Sequence, residues 1–76
     1  MPTTYSGKAL IAILTKQYGF LVVRQKGSHV KLKRVSHGKT ISTVVPLHHE
    51  LAHGTLRGIL RLAQIDYQDF LDHADK

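Results

Sequence analysis

Two strand-like runs joined by a glycine constrain the chain more than any other feature. Phe20-Leu21-Val22-Val23 is β-branched and aromatic, apolar on both faces, and continues to Gln25. That composition predicts a central strand. Lys26-Gly27 then turns the chain, and Ser28–Arg34 alternates with period two. Val30 and Leu32 point one way, and His29, Lys31 and Lys33 the other. A turn residue between two such runs predicts a hairpin. One face of its second strand is fit for a core. The other is fit for an exposed surface with one imidazole beside two ammonium groups.

The rest of the chain supplies partners for that hairpin. Met1 to Tyr5 reads as a flexible lead, and Ser6 is a good N-cap. Leu10, Ile13, Leu14 and Gln17 keep helical spacing, with Ile11 and Tyr18 widening the apolar side. Gly19 suits the residue just past a helix end, so a first helix is predicted over about Gly7–Tyr18. After the hairpin, Ser36-His37-Gly38-Lys39 is a second polar turn. Thr40–Val45 is a third strand, with Ile41, Thr43 and Val45 on its more apolar face and Pro46 ending it. Leu47 to Gly54 is a histidine-rich loop. Thr55–Ala63 is a second helix with Leu56, Ile59, Leu60 and Ala63 inward. Gly58 costs about 1 kcal/mol there against alanine, so it is read as a mark of close packing. Asp66 caps a short acidic helix whose apolar contacts are Phe70 and Leu71.

The predicted order is α-β-β-β-α with a helical appendix. This is an α+β fold of three antiparallel strands, helices on one face and water on the other. The 76 residues are read as one domain, with a core of about 7–65 and an acidic tail of 66–76. No disulfide or thiolate site is available, because the chain has no cysteine. Absent cysteine suits the cytoplasm. The longest apolar stretch, within Ala9–Leu14, falls short of the roughly 20 residues that span a bilayer, and no signal peptide is visible. No membrane partner is expected.

Charge narrows the function. Residues 1–61 hold ten of the eleven Lys and Arg and one acid, Glu50, a balance of +9. Residues 62–76 hold Asp66, Asp69, Asp72 and Asp75 against Lys76, a balance of −3. A basic body of this density points to a polyanion, and nucleic acid is favoured over solubility alone.

His29 is the main candidate for chemistry. On RNA its imidazole could take the proton from a 2′-OH that attacks the adjacent phosphate, or protonate the leaving 5′-oxygen. Lys31 and Lys33 share its face and could hold the phosphate and its developing charge. Arg24 and Lys26 lie at the turn, where they could position flanking phosphates, and Ser28 could donate a hydrogen bond. The plain alternative is a surface histidine in a merely basic strand. His48, His49 and His53 form a second cluster. Lacking cysteine and with Glu50 as the only nearby carboxylate, it reads as a polar loop, and no metal or cofactor is expected. Arg57 and Arg61 lie one turn apart on the second helix, where they could contact phosphates or a partner or, more commonly for such a pair, form a solvated face. The aromatics Tyr5, Tyr18, Phe20, Tyr67 and Phe70 are scattered and form no stacking platform.

On these residues the sequence resembles the HicA toxin family of bacterial and archaeal toxin–antitoxin systems. The resemblance is carried by Gly19-Phe20, by Arg24-Gln25-Lys26-Gly27-Ser28-His29 through the hairpin, by Val45-Pro46, and by Gly54-Thr55-Leu56-Arg57-Gly58-Ile59-Leu60-Arg61. It covers about Gly7–Ile65. It implies a fold like the double-stranded RNA-binding domain and a ribosome-independent mRNA interferase activity with one catalytic histidine, which falls on His29. It also implies a cognate HicB antitoxin that covers this face. The three histidines of Leu47–Gly54 and the tail Asp66–Lys76 depart from the family pattern. Beside this reading stand a non-catalytic RNA-binding module, which recognises double-stranded RNA by shape, and a structural subunit whose sheet packs on a partner.

Overall fold

The computed structural model describes residues 4–74. The elements follow in the order α1 (Gly7–Gln17), β1 (Leu21–Lys26), β2 (His29–Ser36), β3 (Lys39–Pro46), α2 (His53–Leu62) and α3 (Tyr67–Ala74). The strands form one antiparallel sheet in the order β1-β2-β3. The α-β-β-β-α layout and the α+β class are therefore those the sequence predicts.

Local chemistry sets each boundary. The Ser6 side chain accepts the Ala9 N–H at 3.0 Å and so caps α1. Gly19, at φ +73°, ends it and lets the Phe20 N–H reach back to the Leu14 carbonyl at 3.1 Å. The hairpin between β1 and β2 has a two-residue loop with Gly27 at φ +58° in its first position, where a II′ turn needs glycine. The second hairpin turns on His37 and Gly38, both with positive φ, as a I′ turn requires. Asp66 accepts the Asp69 N–H at 3.1 Å and caps α3.

Alternation fills the core from the sheet side. Val30 and Leu32 of β2 and Ile41, Thr43 and Val45 of β3 are buried. Leu10 and Leu14 of α1, Leu56, Ile59 and Leu60 of α2, and Phe70 of α3 meet them. The opposite side of the sheet has no helix over it and carries the exposed or half-buried alternate residues.

Three readings need correction. β1 is an edge strand, not a central one, and all six of its residues are exposed. Its neighbour Phe20 is buried, but it precedes the strand. Tyr5 is not part of a flexible lead. It is buried, its ring packs edge-on against Phe70 at 5.3 Å, and its carbonyl accepts the Leu51 N–H at 2.8 Å. Residues 1–3 of that lead, and residues 75–76 of the acidic tail, lie outside the described residues. Gly58 does not mark close packing, since a Cβ there would meet nothing within 4 Å. The close approach is at Gly7 instead, where a Cβ would collide with the Pro46 carbonyl oxygen.

Candidate nucleic-acid interface

Register decides which side chains share the open face, because directly paired residues project to the same side. Three rungs cross it. Lys26 pairs with His29 and His29 with Pro46. Arg24 pairs with Lys31 and Lys31 with Val44. Leu21 pairs with Lys33 and Lys33 with Ser42. The sheet thus gathers Arg24, Lys26, His29, Lys31 and Lys33 on one surface. Directly paired Cβ atoms in such a ladder are about 4.5–5.5 Å apart, and His29 and Lys31 are separated by about 7 Å along β2. A single phosphodiester and its neighbours can touch all of them.

A break in pairing helps. The β1–β2 register shifts between Val22 and Arg24, so one residue is extra on β1. Such a bulge re-aims the side chains beyond it. It moves Arg24 into line with Lys31 and Lys26 into line with His29, which simple alternation from Leu21 would not do.

The turn that carries Ser28 is pinned. The Ser28 carbonyl accepts the Leu47 N–H at 2.7 Å, and the Gln25 side-chain amide donates to the Gly27 carbonyl at 3.2 Å. His29 is therefore the first residue of a strand held from both sides, by Lys26 and by Pro46. Its side chain is exposed, and among the described residues nothing holds the ring by a hydrogen bond or ion pair. No carboxylate orients it, so the arrangement is not a nucleophile–base–acid triad. The basic side chains of the face are likewise free of salt bridges among the described residues. Their positive field is uncompensated and available to phosphate.

Other cations lie elsewhere. Arg34, which the sequence reading did not assign to the site, falls on the other side of β2, where its guanidinium sits 5.1 Å from the Phe20 ring centroid. Arg57 and Arg61 are exposed on α2, which packs on the helix-covered side of the sheet. The sheet itself separates them from His29. Arg57 lies over the Tyr67 ring at 4.6 Å, and His53 meets the same ring edge-on at 5.4 Å. His53 is thus the first residue of α2 and not part of the loop. His48 and His49 are exposed, and among the described residues no three His, Cys, Asp or Glu side chains converge on a point where a metal could bind. The sequence reading missed Ser42, which sits beside Lys33 in the middle of the open face. The signal was present, because Ser42 alternates with buried Ile41 and Thr43.

The structure is thus a small α+β domain whose helix-free sheet face is basic and presents one imidazole. The sequence says which one. Residues 7–65 match the family model described as the HicA toxin of bacterial toxin–antitoxin systems, and the chain belongs to that family. No curated protein matches it. Among the described residues, no helix is long and apolar enough to cross a membrane.

Proposed function

We propose that the chain is a ribosome-independent endoribonuclease, an mRNA interferase, that cuts RNA with His29 and is neutralised by a HicB-type antitoxin in the cytoplasm. The observation that carries this reading is the common face of His29 with Arg24, Lys26, Lys31 and Lys33, in a member of a toxin family. A module that only binds RNA has no use for a titrating imidazole at the centre of its cationic face.

The chemistry is a transesterification. Arg24 and Lys26 hold phosphates flanking the scissile one, and Ser28 donates a hydrogen bond at the turn. Lys31 and Lys33 face the scissile phosphate. As the 2′-oxygen attacks phosphorus, charge accumulates on the non-bridging oxygens, and fixed ammonium groups stabilise it more in the transition state than in the substrate. His29 moves one proton, either from the 2′-OH or to the departing 5′-oxygen. The nucleophile belongs to the RNA, so the reaction needs no metal-bound water. It yields a 2′,3′-cyclic phosphate or, after hydrolysis, a 3′-phosphate.

The test is purified protein and a His29→Ala variant incubated with RNA in EDTA. The wild type should cut and leave cyclic or 3′-phosphate ends. RNA carrying a 2′-O-methyl at the scissile position, and DNA, should survive. The variant should keep its fold, because exposed positions alter stability by no more than about 0.5 kcal/mol, and lose cleavage. A variant that cuts at the wild-type rate removes His29 from the mechanism. Metal-dependent products with 5′-phosphate ends would overturn the transesterification.

A further inference from the structure

The open face does not account for β1. Leu21 is 71 % exposed, and Val22 and Val23 are 50 % exposed each. Beside them Val35 of β2 is 72 % exposed. Leu21, Val23, Val35 and Thr40 line one groove of about 390 Å³ together with the cations Lys33 and Arg34. β1 packs extensively on β2 alone, and among the described residues no helix covers its outer side. Its outer backbone groups therefore have no partner strand. Edge strands are ordinarily guarded by proline, by charge, by a bulge or by a covering element. The bulge between Val22 and Arg24 and the cations Arg24 and Lys26 guard the far end of β1, whereas Leu21-Val22 carries neither proline nor charge.

Resting on the toxin reading above, we propose that this edge is the docking site of the antitoxin, which adds an extended strand to β1 with side chains alternating between apolar and acidic. Main-chain hydrogen bonds to an exposed edge supply affinity, and alternate side chains supply specificity. The apolar ones fit the groove over Leu21, Val23 and Val35. The acidic ones meet Arg24 and Lys26 further along the same strand, and Lys33 at the groove wall.

Charge selects this occupant over two others. A second copy of the chain would bring a further +6 to the first and would crowd two sets of Arg24 and Lys26 along one short ribbon. RNA could use Lys33 and Arg34 at the groove wall but gains nothing from the exposed apolar side chains of Leu21, Val23 and Val35. An acidic, partly apolar protein strand satisfies both ends at once. It also explains how inhibition works. A strand beside β1 sets every second side chain on the open face, next to Arg24 and Lys26 and two strands from His29. RNA then loses its flanking phosphate contacts.

The protein encoded beside the toxin gene is the probe. It is co-purified with the wild type and with a Leu21→Thr, Val23→Thr double variant, which places β-branched residues at the edge and changes none of the basic side chains. The variant should cut RNA at the wild-type rate, yet bind the antitoxin at least tenfold more weakly, about 1.4 kcal/mol. In the wild-type complex, amide hydrogen exchange across Leu21–Lys26 should slow relative to the free toxin. Equal affinity for both toxins with no slowing in β1 overturns the edge as the docking site and leaves the RNase reading intact. A wild type that binds through β1 but cuts no RNA sinks the RNase reading instead. A free toxin that is dimeric, and that the double variant makes monomeric, assigns the edge to a second copy and also overturns the proposal.

Discussion

The Thr43 hydroxyl donates a hydrogen bond to the Ile59 carbonyl at 2.9 Å, at a position where Thr43 is fully buried. This bond joins the centre of β3 to the middle of α2. Among the described residues it is the one side-chain hydrogen bond that fixes sheet and helix in register within the core. The Ile59 carbonyl also accepts the Ala63 N–H at 3.0 Å, so loss of the threonine would not orphan it. Thr43→Val, nearly isosteric, should therefore cost about 0.5–1.5 kcal/mol, read as a lower midpoint in urea with an unchanged slope. RNA cleavage should survive, since the open face is on the other side.

Gly7 should be the least replaceable glycine. Its N–H donates to the His48 carbonyl at 2.9 Å, and a Cβ would overlap the Pro46 carbonyl oxygen. Backbone on backbone cannot yield as a side-chain tip can. Gly7→Ala should force α1 away from the end of β3 and cost more than about 2 kcal/mol, as overpacking at a rigid contact does. Thermal unfolding measures it.

Gly58 should behave oppositely. It lies inside α2 with open space where a Cβ would go. Gly58→Ala should stabilise the protein by about 1 kcal/mol through helix propensity alone. A raised melting temperature is the expected result. An unchanged or lower one would mean that the helix surface at this position is needed bare.

Tyr18 sets a limit at high pH. Burial, with Asp69 as a lesser cause, raises its pKa above 10.0. Its hydroxyl is buried without a hydrogen-bond partner among the described residues. The folded state then holds the phenolic proton more tightly than the unfolded chain does. This stabilisation is fully present below pH 10 and is lost as pH rises through the folded pKa. Tyr18→Phe should remove that alkaline loss and be neutral to stabilising near pH 7. Midpoints in urea at pH 7 and above pH 10 for the two proteins make the comparison.

Lys31 and Lys33 should be shared between substrate and inhibitor. Lys31→Glu with Lys33→Glu should weaken RNA binding strongly and reduce its salt dependence, because each lost phosphate contact removes a released counterion. The same change should weaken antitoxin binding through charge. His29→Ala should spare antitoxin binding, since one imidazole is a small part of an interface of roughly 800 Å² per partner. Calorimetric titration of the three proteins separates these cases. An unchanged antitoxin affinity in the lysine variant would place the partner away from this face.

What the sequence made legible was governed by local rules. Alternation in Ser28–Arg34 and Thr40–Val45 assigned the buried residues of β2 and β3 correctly, and Ser6 and Asp66 cap as expected. The apolar run at β1 misled because hydrophobicity reports burial only when a neighbour exists to provide it. Strand order is a tertiary property, and β1 has no second neighbour. Helix propensity points to Gly58 as the glycine of close approach, yet it is Gly7, since contact between distant backbones leaves no trace in local spacing. The site was half legible. His29, Lys31 and Lys33 follow from alternation alone. The placement of Arg24 and Lys26 beside them depends on a one-residue shift between Val22 and Arg24 that no turn signal announces.

The alternation of β2 has a genetic consequence. Positions 29, 31 and 33 face outward and positions 30 and 32 face the core, so the residues proposed to act on RNA and those that hold the fold interleave without sharing a neighbour. If His29 acts as proposed, one codon change at position 29 silences the chain and still gives a folded protein. That silent product would go on titrating its antitoxin. A damaged copy of the gene would thus act as a sponge for the inhibitor and sensitise its host to any intact copy.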